Sequence, residues 1–255
     1  ARYLRRYDVW NLKTVLRGTY SDVDAETVRD DLILAGELSE QRLHALVELG
    51  SIDQVIEQLD RTRYGDALGA AYDAYLSSEL LFPLENALDR TYYSQLVDEL
   101  PGGQQTRAYT EFLTAEVDFT NIMNLLRLSR SGASLDPSAY FLEGGALFRL
   151  ETVDTLVKNP DELVATIRAS SYGDRLSGML TLIERGQSLI PAEHALEAAL
   201  LETADSLGYE NPLSVTPVLS FILAKRREVD NIRAVARGRE AGLDVETLES
   251  EVVIV

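Results

Sequence analysis

The most restrictive feature of this sequence is a motif that returns at a fixed distance. Asp8-Val9-Trp10-Asn11-Leu12 reappears as Asp118-Phe119-Thr120-Asn121-Ile122 and again as Glu228-Val229-Asp230-Asn231-Ile232, with the same step between copies both times. The register continues through Val15, Leu125 and Val235 to Arg17, Arg127 and Arg237. Gly18 and Gly238 follow the arginine in the outer copies, and Leu128 takes that place in the middle one. Tyr64-Gly65-Asp66 recurs as Tyr172-Gly173-Asp174, and Pro83-x-Glu85-x-Ala87-Leu88-Asp89 as Pro191-x-Glu193-x-Ala195-Leu196-Glu197, both at a step only slightly shorter. Asp24, Glu26 and Thr27 return two full steps on as Asp244, Glu246 and Thr247. Several matches in one order at nearly one offset define a repeat. Its unit exceeds the roughly 20–50 residues of common solenoids. The expected division is 1–107 for a first unit, 108–217 for a second and 218–255 for the beginning of a third.

The unit reads as helical. Leu, Ala, Glu and Arg fill the segments between short Gly and Pro breaks, and Leu76, Leu80, Leu84, Leu88 and Tyr92 follow at four-residue steps. Asp136-Pro137 places a capping carboxylate before a proline suited to the first helical position, and Asn159-Pro160-Asp161 ends one helix and begins the next. Pro101-Gly102-Gly103 and Gly208 to Pro212 read as loops. The Val252–Val255 run is the clearest short β-branched stretch. An all-α fold of about a dozen helices follows from typical helix lengths of about 11–12 residues.

On a helix, Asp8 and Asn11 share a face with Val15, as their counterparts do. A buried amide on such a stripe must be hydrogen-bonded. Asn11, Asn121 and Asn231 are therefore expected to tie their helix to a neighbouring loop or helix end, the alternative being a contact with a partner, and Asp8, Arg17, Asp118, Arg127, Glu228 and Arg237 complete the repeated structural motif. Arg17-Gly18 and Arg237-Gly238 read as helix ends, with glycine as a left-handed cap. Tyr-Gly-Asp reads as a packed tyrosine, a turn and an N-capping aspartate.

Chemistry-bearing motifs are absent. There is no phosphate loop, no G-x-G-x-x-G after a strand, no H-E-x-x-H and no G-x-S-x-G. Gly144-Gly145 connects helices without a following Lys-Ser or Lys-Thr. There is no cysteine, and His44 and His194 stand far apart in the sequence. The expectation is no catalytic residue, no cofactor, no metal and no small-molecule substrate.

Charge narrows the setting. There are 42 acids against 24 bases, a net charge of −18, and the only lysines are Lys13, Lys158 and Lys225. Such a polyanion is a poor nucleic-acid ligand. At molar salt the Debye length falls to about 3 Å and self-repulsion is screened. A halophilic archaeal cytoplasm is the expected home. No stretch reaches the roughly 18 apolar residues of a membrane span. The opening Ala1-Arg2-Tyr3-Leu4-Arg5-Arg6 reads as the middle of a helix, hence the expectation of an N-terminally truncated chain.

At the repeated motif the sequence resembles a known family. Asp8-x-x-Asn11-Leu12-Lys13-x-x-Leu16-Arg17-Gly18 and Glu228-x-x-Asn231-Ile232-Arg233-x-x-Ala236-Arg237-Gly238 are similar to the signature helices of the C subunit of archaeal A-type ATP synthases, whose eukaryotic relative is the d subunit of V-type ATPases. Pro83-Leu84-Glu85-x-x-Leu88-Asp89-Arg90-x-Tyr92-Tyr93 and Ala241-Gly242-Leu243-Asp244 resemble further stretches of it. The resemblance implies three similar helical subdomains in a pseudo-three-fold funnel, with the N-terminal part missing here. It implies a non-catalytic central-stalk subunit on the cytoplasmic face of the membrane. Its partners would be the membrane rotor ring and the central axle, and the coupled process proton- or ion-driven ATP synthesis. The alternatives are a helical-repeat adaptor unrelated to ATP synthase and a hydrolase with a site built from dispersed carboxylates.

Overall fold

A computed structural model describes residues 2–98, 106–131, 135–245, 248 and 252. Among them the chain is all-α, with twelve α-helices, two short 3-10 helices and no strand. Residues 1–99 and 100–255 form two compact units.

In the first unit, α1 (Arg6–Tyr20) is followed by α2 (Ala25–Asp30), α3 (Glu40–Val47), α4 (Ile52–Leu59), α5 (Gly65–Ser78) and α6 (Phe82–Asp98). The spacing of Val9, Leu12, Val15 and Leu16 gives α1 one apolar side, and all four are buried. This side packs among α2, α3, α4 and α6. Three helix starts are set by side chains. Asp24 accepts from the Thr27 N–H, Ser39 from Arg42 and Ser51 from Gln54. Each cap satisfies a donor that the first helical turn leaves open and is worth about 1 kcal/mol.

In the second unit, α7 (Arg107–Ser131) is followed by a 3-10 turn (Pro137–Tyr140), then α8 (Leu150–Lys158), α9 (Pro160–Arg168), α10 (Ser177–Glu184), α11 (Ile190–Glu210) and α12 (Thr216–Glu240). α7 is buried nearly all round between Phe112 and Leu126, where Phe112, Leu113, Val117, Ile122, Leu125 and Leu126 pack together with the polar Glu116, Asp118, Asn121 and Asn124. A helix buried on nearly every side lies at the centre of its unit. α8, α9, α11 and α12 all pack on it.

Several local expectations are corrected. The four-residue leucine series does not lie on one helix. Glu79 takes a left-handed conformation, α5 ends and Pro83 opens α6, so Leu76 and Leu80 are exposed while Leu84, Leu88 and Tyr92 are buried. Gly208, Tyr209 and Glu210 belong to α11, and the break falls at 211–215. Asp136-Pro137 caps and opens a turn, as its residues demand, but the turn is 3-10 and lasts four residues. Pro101-Gly102-Gly103 and Val253–Val255 lie outside the described residues.

The glycine reading also changes. Gly18 and Gly238 are inside α1 and α12, not caps beyond them. Their use is close approach, since a Cβ would overlap Val28 at Gly18 and Leu248 at Gly238. Gly65 and Gly173 let the chain pass the carbonyl oxygens of Asp60 and Arg168, where a Cβ would overlap backbone. Asp66 and Asp174 are not N-caps. α5 starts at Gly65, and α10 starts three residues after Asp174, with Leu176 at its N-cap. By contrast a Cβ at Gly69 or Gly178, both inside helices, meets open space. Opposite outcomes follow for one substitution. Gly69→Ala is expected to stabilise by about 0.5–1 kcal/mol through helix propensity. Gly173→Ala is expected to destabilise by about 1–3 kcal/mol through overpacking against backbone. Denaturant unfolding of the two variants at fixed salt checks the pair of signs.

Candidate functional site

The repeated motif builds the same anchor in both units. On α1, Asn11 donates from Nδ2 to the Ile33 carbonyl and accepts at Oδ1 from the Ile33 N–H, both at 2.8 Å. On α7, Asn121 makes this pair with Leu142, at 2.9 and 2.8 Å. One turn earlier, Asp8 accepts from the Glu37 and Leu38 N–H groups, each at 2.9 Å. Asp118 accepts from Ala146 at 2.8 Å and Leu147 at 2.9 Å. One amide and one carboxylate thus bind the loop between the second and third elements of each unit to the long helix. Loop backbone groups that no helix or strand pairs are thereby satisfied by side chains.

Two glycines that the repeated motifs leave out complete the arrangement. A Cβ at Gly36 would overlap Asp8 Oδ1, and one at Gly145 would overlap Asp118 Oδ1. The signal was present as Gly36-x-Leu38 and Gly145-x-Leu147, which recur at nearly the same offset as the motif. Tyrosine adds a further link in the second unit, where the Tyr172 hydroxyl donates to Asp118 Oδ2 at 2.9 Å. Its ring meets Phe119 edge-on, with centroids 4.9 Å apart. Tyr64 is buried in the first unit, but its hydroxyl has no hydrogen-bond partner among the described residues. Burial, then the nearby carboxylate of Asp8 or Asp118, pushes both phenols well above their ordinary value of 10.0.

The arginines end the motif at the surface. Arg17 pairs with Glu85 at 2.5 Å and Arg127 with Glu193 at 3.0 Å, so in each unit the long helix is clipped to a later, proline-led helix of the same unit. Such exposed pairs contribute about 0–1 kcal/mol each. Every lysine is likewise paired: Lys13 with Asp89, Lys158 with Asp154 and Lys225 with Glu228. In the third copy, Arg237 is exposed in the last turn of α12, Asn231 is half-buried, and Glu228 is exposed against Lys225. The offset that relates Asn11 to Asn231 relates Ile33 to Val253, which lies outside the described residues.

The two motif carboxylates, Asp8 and Asp118, are buried. Desolvation raises Asp118 above its ordinary 3.8, against the opposing pull of the Leu147 N–H, the Tyr172 hydroxyl and the Ala146 N–H. Asp8 shifts the same way for the same main reason, with the Leu38 and Glu37 N–H groups opposing. A carboxyl raised by folding binds its proton more tightly in the native state. Its contribution to stability is therefore greatest at low pH and falls as pH rises from 3.8 through the raised value. Wild type is expected to lose stability relative to Asp118→Asn across that rise. Unfolding both proteins in urea at a series of pH values checks the sign, and a difference that grows in the opposite sense would refute it.

Among the described residues no group of three or more His, Cys, Asp or Glu side chains is placed to hold a metal. His44 stands at the surface, 3.9 Å from Glu40, and His194 is half-buried on α11. The described residues contain no helix long and apolar enough to cross a membrane.

Fold and site together define an all-helical scaffold whose repeated polar residues bind its own backbone. Residues 1–251 match the ATP synthase (C/AC39) subunit family, and the chain belongs to that family. The C subunit of the A-type ATP synthase of Haloferax volcanii is 56% identical over 254 residues, a match that takes in the whole chain and 73% of that protein. Its counterpart in Haloquadratum walsbyi is 54% identical, over 98% of this chain and 73% of its own length. That of Methanosarcina barkeri is 32% identical, over 99% and 69%. Family membership removes the alternative of an adaptor unrelated to ATP synthase.

Proposed function

We propose that this chain is a non-catalytic coupling subunit of a rotary A-type ATP synthase. It stands on the cytoplasmic face of the membrane, between the rotor ring and the central axle, and passes torque during proton- or ion-driven ATP synthesis. The observation that carries the reading is membership of the ATP synthase (C/AC39) subunit family along nearly the whole chain. The anchors support it mechanically. A close-packed interior transmits strain, and each long helix is tied to its loop by paired hydrogen bonds from Asn and by an Asp that accepts two backbone N–H groups. A torque-bearing element needs stiffness more than chemistry.

The repeat suggests how the two partners are met. We read 1–107, 108–217 and 218–255 as two units and the start of a third, arranged about a pseudo-three-fold axis as a funnel. Axle contacts then come from the narrow opening and ring contacts from the other end. The experiment is to mix the protein at molar salt with isolated axle subunits and, separately, with detergent-solubilised rings, and to size the products. Complexes with both partners and no ATP hydrolysis by the purified chain are expected. Absence of both complexes from folded protein, or steady ATP turnover, would overturn the assignment.

A further inference from the structure

The two anchors use the same residues in different arrangements. In the second unit Asp118 Oδ1 accepts both loop amides, those of Ala146 and Leu147, and Oδ2 is turned to the Tyr172 hydroxyl. In the first unit the loop amides are split. Leu38 donates to Asp8 Oδ1 and Glu37 to Oδ2, so both oxygens face the loop. The Tyr64 hydroxyl is buried, with no hydrogen-bond partner among the described residues. It lies near Asp8 all the same, because that carboxylate raises its phenol as Asp118 raises that of Tyr172. A buried donor without a partner is costly. The second unit shows how the same residues satisfy it.

A charge cluster stands against that arrangement in the first unit. Glu37 is gripped by two arginines. Arg5, in the 3-10 turn before α1, reaches it at 2.8 Å, and Arg63, the neighbour of Tyr64, at 2.9 Å. Arg63 also donates to the Gln95 side chain at 3.0 Å. The corresponding positions of the second unit are Ala115, Ala146 and Ser171, none of which carries a charge. Bringing the Glu37 N–H to the oxygen that Leu38 uses, as Ala146 and Leu147 share one, moves the backbone of a residue whose side chain is clamped from both sides. Salt can reach the clamp, since the Glu37 and Arg63 side chains are 40% and 34% exposed. Such pairs are weak and are screened at molar ionic strength. A hydrogen bond to a carboxylate is roughly twice as strong as one between neutral groups, and burial shields it from screening. Clamp and buried bond therefore respond to salt unequally.

We propose that the anchor of the first unit is a salt-operated latch. In dilute salt the Arg5–Glu37–Arg63 clamp keeps both Asp8 oxygens on the loop. In molar salt the clamp loosens, Glu37 and Leu38 share one oxygen, and the other accepts the Tyr64 hydroxyl. Asp8 then joins three segments: α1, the loop before α3 and the turn before α5. Asp118 already joins α7, the loop before α8 and the turn before α10 in this way. The first unit thus gains the tie that the second has under the salt that suits a chain of net charge −18. The latch rests on the geometry of the anchor and not on the rotor role.

The test is the cost of removing one hydroxyl at two salt concentrations. The thermal unfolding midpoint of Tyr64→Phe is compared with that of its parent at about 0.1 M and at about 1 M potassium chloride. Sucrose at one fixed concentration keeps the chain folded at the lower salt without adding charge. In the wild-type background no loss is expected at the lower salt, where the hydroxyl has no bond to lose. At the higher salt a fall of about 3 °C or more is expected, the worth of a hydrogen bond to a charged group in a chain of this size. In a Glu37→Ala background, where the clamp cannot form, that fall is expected at both salts. Tyr172→Phe, the control in the second unit, is expected to lower the midpoint at both. Equal costs of Tyr64→Phe at the two salts in wild type would show that the hydroxyl keeps one environment throughout, a bridging water included, and the latch fails. A salt response that survives Glu37→Ala would place its cause outside the clamp and overturn the proposal. So would a Tyr172→Phe variant as stable as wild type, since the closed arrangement would then gain nothing.

Discussion

Replacing Asn121 by alanine is expected to cost about 3–5 kcal/mol, and Asn11 about half as much, because each stranded backbone group costs about 1–3 kcal/mol only where water cannot reach it. The two side chains make the same pair of hydrogen bonds, so the difference lies in what is left behind. Leu142 is fully buried, and without Asn121 its N–H and carbonyl have no replacement partner. Ile33 is only half-buried, so water reaches its backbone once Asn11 is gone. At about 2–4 °C per kcal/mol for a chain of this size, Asn121→Ala should lower the unfolding midpoint by about 10 °C. Calorimetry of both variants at one salt concentration measures the ratio. Equal losses would show that water does not reach Ile33.

Salt should produce an effect of comparable size in the opposite direction. The midpoint of thermal unfolding is expected to climb steeply as potassium chloride rises from about 0.1 M, where the Debye length is about 10 Å, into the molar range, where it is about 3 Å. Two contributions compete. Exposed ion pairs such as Arg17–Glu85 and Lys158–Asp154 weaken with screening, but such pairs are worth about 0–1 kcal/mol each. The repulsion among 42 acids, only partly offset by 24 bases, is screened by the same salt and acts over the whole surface. Repulsion therefore decides the sign. A flat or falling midpoint would remove the halophilic reading of the composition.

The parts of this protein that were legible in the sequence are those where one residue type has one local use. Helical spacing and the proline starts near Asp136 and Asn159 carry all-α character directly. The recurrence of the motif located Asn11 and Asn121, because a buried amide has to be hydrogen-bonded. What stayed hidden was the other half of each contact. Gly36 and Gly145 sit in segments without periodicity, and their value comes from Asp8 and Asp118, carboxylates on a helix much earlier in the chain. Gly18 was misread because a glycine after an arginine near a helix end suits both a left-handed cap and a close helix contact. Only the position of Val28 separates the two. The series from Leu76 to Tyr92 failed for a related reason: four-residue spacing continues unbroken through a chain reversal at Glu79 that spacing alone does not encode.

The glycine set against each buried carboxylate has a consequence for how this protein can change over generations. A side chain at Gly145 would drive the Asp118 carboxylate off the amides of Ala146 and Leu147, and a longer acid in place of Asp118 would meet the same wall. Neither position can drift first without passing through a less stable ancestor, so the two are inherited as one character. The same holds for Asp8 and Gly36. Glu228, at the corresponding position of the third copy, is exposed and pairs with Lys225.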